Sequence, residues 1–243
     1  METVVLLPSL CATSRVWHRQ VEALGERYAV LTPDLPGHGG NPGPFSFDRA
    51  VADLGDLLDR TPGPVHLVGL SLSATVAVLT CLARPQRVRS LLLSGGVPGP
   101  VAALAVQRAV AALTPERVIV RSAVRLLAPT ITWMPPPQRQ RTLAETAEDF
   151  RTTGRRTYLD ALRELAGTDL RPRLPEVAVP TLVLCGSRDR VNLPGARELA
   201  AGIPRARLEV VPDVGHLWQL ERPDLFSRTV AGFVDEVAGG RAP

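Results

Sequence analysis

Val65-His66-Leu67-Val68-Gly69-Leu70-Ser71-Leu72-Ser73-Ala74 runs from an apolar stretch through Gly-x-Ser-x-Ser and, with no spacer, into the apolar segment that ends at Ala83. The first six residues predict a buried strand over 65–70, and the segment after Ser71 predicts a helix over 72–83. A strand that turns straight into a helix crowds its own backbone, so the positions two residues either side of the apex must be small. The apex side chain then stands at the helix N-terminus, where unpaired N–H groups face developing negative charge. Ser71 is thereby placed as a nucleophile. A serine helix cap is the plainer alternative, but the abrupt passage from buried strand to apolar helix favours the nucleophile.

Working outward, strand-like and helix-like segments alternate, which predicts an α/β fold with a doubly wound, mostly parallel sheet of about six strands. Strands are expected at 4–7, 28–32, 65–70, 88–93, 179–184 and 208–211, and helices at 16–24, 48–59, 72–83, 195–201 and 224–237. The Gly- and Pro-rich stretch Pro33–Pro44 is a loop. From 98 to 175 the helical periodicity continues without a good strand, broken by Pro135-Pro136-Pro137. This predicts a core of 1–97 and 176–243 with a helical cap, 98–175, inserted over the end of the sheet.

Composition narrows the chemistry. The chain has 243 residues, and all 28 basic residues are arginine. Without lysine there is no amine for a Schiff base and no Walker-type phosphate loop. Cys11, Cys81 and Cys185 are scattered and the four histidines form no HExxH pattern, so no metal site and no cofactor are expected. Met1–Pro8 lacks the basic region and apolar core of a signal peptide, and no apolar run approaches the ~18 residues needed to span a bilayer. A reduced, cytoplasmic protein that engages neither membrane nor nucleic acid is the expectation. The net charge of +4 is local: the insertion holds 12 arginines against 7 acidic residues, a balance of +5. Such charge is usually a solvated face. The sharper reading is that one or two of these arginines receive an acidic substrate's carboxylate or phosphate.

These motifs resemble the α/β-hydrolase fold family over nearly all of the chain outside 98–175. The family pattern is Gly-x-Ser-x-Gly, and Ser73 stands where its last glycine is usual. The resemblance implies a triad in the order nucleophile, acid, base. Asp189, in Gly186-Ser187-Arg188-Asp189-Arg190, matches the acid loop, where flanking Arg188 and Arg190 could compete for its carboxylate. His216, in Val214-Gly215-His216-Leu217, matches the base loop. His66 reads as a core histidine, His38 in Pro36-Gly37-His38-Gly39 as a structural residue of a family loop signature, and His18 as part of the first helix. The backbone N–H of Leu72 would be one oxyanion donor and that of Leu10, in the enol-lactonase-like Pro8-Ser9-Leu10-Cys11, the other. Ser9, Cys11, Trp133, Met134 and Trp218 are the candidate substrate-pocket residues. The resemblance implies cleavage of an ester, lactone or thioester of a small organic substrate through an acyl-Ser71 intermediate. A cofactor-free lyase or acyltransferase using Ser71 and His216, or a small-molecule-binding protein without turnover, are the alternatives.

Overall fold

Alternating side chains in short apolar strands have two faces to bury, and parallel strands bury both. The computed structural model describes residues 1–100 and 102–240. Val101 and Arg241–Pro243, which fall within the expected cap and the expected C-terminal core segment, lie outside the described residues. Strands β1 (Thr3–Leu7), β2 (Ala29–Leu31), β3 (Val65–Leu70), β4 (Val88–Ser94), β5 (Thr181–Gly186) and β6 (Ala206–Val211) form one sheet in the order β2-β1-β3-β4-β5-β6. Every pairing is parallel. Val5, Leu7, Leu67, Leu91 and Leu93 face helices α2 (Phe47–Arg60), α3 (Leu72–Ala83) and α7 (Leu193–Gly202). Val4, Leu6, Val68, Leu70 and Leu92 face α1 (His18–Leu24) and α9 (Pro223–Ala238). This is the α/β-hydrolase fold.

The boundaries shift where pairing, rather than apolarity, decides them. β5 starts at Thr181, after Pro180, which has no N–H to donate to the ladder. It runs on to Gly186 because Cys185 and Gly186 still pair with Val210 and Val211. β6 begins two residues early, at Ala206; as an edge strand it is only partly covered, so Arg207 and Glu209 hide its register from hydropathy. The first helix divides into a 3-10 turn, Ser14–Trp17, and α1. The short helix α8 (Trp218–Glu221) carries no sequence signal of its own.

Between β4 and β5 lie α4 (Ala102–Leu113), α5 (Glu116–Leu127) and α6 (Pro136–Gly167). The triple proline sets the start of α6, where a missing N–H costs nothing. A second break, unexpected from the sequence, falls at Gly154, whose φ of 72° interrupts α6. Two carboxylates on α6 tie it to the sheet layers. Asp149 accepts from the N–H and hydroxyl of Thr13, and Glu164 accepts from the N–H of Phe47, at 3.2, 3.1 and 3.0 Å. Among the described residues, no helix is long and apolar enough to cross a membrane.

Candidate active site

The site begins at the turn between β3 and α3. Ser71 has φ +58°, a conformation that costs an L-residue about 1–2 kcal/mol. The Ser71 N–H donates to the Ser94 carbonyl at the end of β4 (2.8 Å), and the Ser71 carbonyl accepts from Ala74 N–H (3.0 Å). A Cβ on Gly69 would lie 2.6 Å from the Ser73 carbonyl oxygen and 2.7 Å from Ala74 Cα, so backbone meets backbone and only glycine fits. Ser73, on the other side of the apex, is fully buried and does more than occupy space. Its Oγ accepts from Leu70 N–H (2.8 Å) and donates to the Leu7 carbonyl (2.8 Å), fastening the end of β1 to the turn. Ser73→Ala should therefore destabilise the fold by about 1–3 kcal/mol, the cost of orphaning buried backbone groups, read as a lower denaturant midpoint at unchanged m-value. An unshifted midpoint would show that the hydroxyl contributes nothing.

Asp189 and His216 arrive from the carboxyl ends of β5 and β6. His216 Nδ1 lies 2.6 Å from Asp189 Oδ2, with the carboxylate buried and the imidazole about one-third exposed. Asn192, which the sequence reading missed, donates its amide to both Asp189 oxygens, at 2.8 and 3.0 Å. Its Nδ2 also lies 3.1 Å from His216 Nδ1, but both nitrogens are donors when Nδ1–H points at Asp189, so the amide braces the carboxylate and reaches the imidazole only through it. Burial works against ionisation of Asp189, but the hydrogen bond and charge of His216 and the donors of Asn192 outweigh it. The carboxyl is held below its ordinary value. A carboxyl depressed on folding adds stability above its unfolded pKa, lost as pH falls through the folded value. Gly95, just after β4, was also missed: a Cβ there would lie 2.8 Å from His216 Cε1, so its absence makes room for the ring. Arg188 turns outward to Asp213 (3.2 Å). Below the loop, Glu221 accepts from Gly215 N–H at 3.0 Å.

Ser71 and His216 open onto one cavity of about 490 Å³, walled by the loop after β1 and by α4, α5 and α6. Ser9, Leu10 and Cys11 line it, and Leu72 opens α3 directly behind Ser71. Cys11 is buried, and burial, reinforced by Asp149 and Glu116, pushes its thiol far above the ordinary value, which makes it inert filler. Three expected lining residues stand elsewhere. The Trp218 indole is fully buried, donates to Ser94 Oγ (2.9 Å) and packs against Phe226. Met134 is enclosed with Leu127, Ile131 and Leu220. Trp133 donates to the Leu220 carbonyl (3.1 Å) and borders a separate outer cleft.

The electrostatics also differ from the expectation of an arginine-lined pocket. Among the described residues, Arg15 is the one arginine lining the cavity; it comes from the loop after β1, and its guanidinium is bound to Asp149. On α6, Arg141, Arg151, Arg156 and Arg163 answer acids of their own helix (Glu145, Glu148 and Asp160), and Arg155 donates to the Ala112 carbonyl of α4. Those of α5 (Arg117, Arg121 and Arg125) are exposed and absent from the described cavity wall. What remains around the cavity is largely neutral: Val16, Ala123, Leu126 and Leu127, with Gln107, Thr142 and Tyr158 as polar points. Glu145, also on the wall, is held by Arg141.

The other histidines have separate surroundings. His66 bonds to Ser90 Oγ at 2.7 Å within the sheet, while His18 sits at the cavity mouth, 3.2 Å from the Arg15 carbonyl.

A scaffold of this kind, with its polar groups at the carboxyl ends of parallel strands, defines an α/β-hydrolase. The family model for the alpha/beta hydrolase family matches residues 4–229, and the chain belongs to that family. It is similar to the pimeloyl-[acyl-carrier protein] methyl ester esterase of Chromobacterium violaceum, at 30% identity over 97% of this chain and 95% of that protein. It is likewise similar to 3-oxoadipate enol-lactonase 1 of Acinetobacter baylyi, at 26% identity over 96% and 89% of the two chains. Among solved structures, the enol-lactonase from Burkholderia xenovorans LB400 superposes with a TM-score of 0.82, at 28% identity over 97% of this chain and 92% of that one. The protein is an enzyme of the α/β-hydrolase type.

Proposed function

We propose that the protein is a serine hydrolase that cleaves an ester, lactone or thioester of a small, uncharged organic substrate through an acyl-Ser71 intermediate. The observation that carries this reading is the meeting of Ser71, held at φ +58°, with the Asp189-braced imidazole of His216 at one largely apolar cavity. With Asp189 fixing the proton on Nδ1, His216 Nε2 is free to take the Ser71 proton as Oγ attacks the carbonyl carbon. The Leu10 and Leu72 N–H groups receive the oxyanion. The carbonyl–leaving-group bond then breaks, the leaving oxygen or sulfur takes the proton from His216, and water releases the acid by the same route reversed. The helices of 98–175 act as the cap that encloses the acyl group. The neutral wall, with Arg15 already committed to Asp149, supports an uncharged substrate over an acidic one.

The test is fluorophosphonate labelling beside a panel of short-chain aryl esters and lactones, with and without a terminal carboxylate, for the wild type and Ser71→Ala. Labelling and turnover of the neutral members, both lost in Ser71→Ala, is the expected result. An unlabelled wild type would overturn the nucleophile. Labelling without any hydrolysis would overturn the hydrolase in favour of a lyase or acyltransferase. Preference for the carboxylated substrates would overturn the uncharged-substrate reading.

A further inference from the structure

His38 is buried in the loop after β2, and the reaction just described does not use it. Its two ring nitrogens face different partners. Nδ1 lies 3.0 Å from the Pro36 carbonyl, an acceptor only, so that nitrogen carries the proton. Nε2 is then a lone-pair acceptor, and it receives the backbone N–H of Cys11 at 3.1 Å.

Cys11 is no ordinary partner. It stands third in a turn closed by the Ala12 N–H on the Ser9 carbonyl (3.1 Å), and its φ is +57°. Glycine or asparagine is the usual occupant of such a position. A cysteine there needs an outside restraint to keep the turn in one shape, and the His38 lone pair supplies one. The peptide that His38 holds directly follows the Leu10 N–H. That bond also occupies the Cys11 N–H, while Leu10 itself lines the cavity.

We propose that His38 is a positioning residue for the oxyanion hole: through its neutral Nε2 it fixes the Cys11 peptide and so aims the Leu10 N–H at the reacting carbonyl oxygen. This rests on the hydrolase reading above and on Leu10 as an oxyanion donor. The charged groups that act on the ring are Asp34, which accepts from Ser14 N–H (2.6 Å) and Gly40 N–H (2.8 Å), and Asp149 on α6. Phe45 packs edge-on against it. Burial outweighs the two carboxylates and keeps the imidazole below its ordinary value, so the acceptor persists through the neutral range.

Two substitutions separate the nitrogens. His38→Gln keeps an acceptor where Nε2 stands, whereas His38→Asn keeps a donor near Nδ1 and loses that acceptor. In His38→Asn, kcat should fall about tenfold to a hundredfold, less than the 10²–10³ lost when an oxyanion donor is removed outright. KM should not move, and Ki for a trifluoromethyl ketone matched to the best ester should rise by the same factor as kcat falls. His38→Gln should recover most of both. A Ki that stays put while kcat falls, a change confined to KM, or equal behaviour of the two variants would overturn the proposal. If His38→Asn does not fold, the same kinetics are read for His38→Ala, which also lacks the acceptor, in the wild-type and Cys11→Gly backgrounds. A glycine turn needs less restraint, so the kcat and Ki changes should shrink in the second background, and equal changes would overturn the proposal. The hydrolase reading fails separately, when the wild type takes up no fluorophosphonate.

Discussion

Ser71→Ala and His216→Ala should each lower kcat toward the best aryl ester by about 10⁶-fold, and the double variant should be no slower than either. In the proposed mechanism the two groups work on one proton: without the imidazole the hydroxyl is a poor nucleophile, and without the hydroxyl the imidazole has nothing to activate. Once either is gone, the remaining acceleration comes from substrate binding and the backbone donors, which neither substitution touches. Steady-state kinetics of the three variants, with active-site titration to exclude wild-type carry-over, measures this. A double variant whose loss is the product of the single losses would mean that Ser71 and His216 act independently, and would remove the basis for an acyl-enzyme.

Asp189→Asn should cost about 10⁴-fold in kcat and, although nearly isosteric, should lower stability near neutrality, where the depressed carboxylate contributes. Asn192 makes the outcome specific. Its amide donates to the carboxylate, so an introduced amide will turn its oxygen toward Asn192 and its NH2 toward His216. The imidazole must then accept at Nδ1 and carry its proton on Nε2, where it can no longer receive the serine proton. Nitrogen chemical shifts of His216 would report the tautomer directly. An Nδ1-protonated ring with the activity loss intact would refute this account. Removing the depressed carboxyl should also remove part of the loss of stability in acid, since Asp189 then has no proton to take up as pH falls.

The sequence made some of this legible and hid the rest for identifiable reasons. Ser71 could be read because local backbone crowding dictates Gly69 two residues before it, and all six strands because each carries a short apolar run. Asp189 and His216 became candidates through a family likeness, since an aspartate in a turn and a histidine after a strand have plainer uses. Asn192, Gly95 and His38 escaped as site residues because their importance is relational. Asn192 meets His216 across 24 residues and His38 meets Cys11 across 27, contacts set by parallel register and loop packing and by no local pattern. Trp218 was misplaced for the converse reason: two residues from His216 in the chain, it points into the layer behind the site, against Phe226. The arginine surplus of the cap was legible as charge, but whether a helix turns its arginines inward or outward depends on which neighbours answer them, as Glu145 answers Arg141.

The two proposed partners in proton transfer hang from the middle and from the edge of the sheet. Ser71 follows β3, enclosed on both faces and bonded to strands on both sides, whereas His216 follows β6, an edge strand bonded only to β5 and partly bare. Local opening starts where coverage is least. On the proposed mechanism the molecule thus divides the work of precision and compliance between its middle and its margin: the nucleophile would be mounted on a strand held from both sides, and the proton carrier on one better able to give.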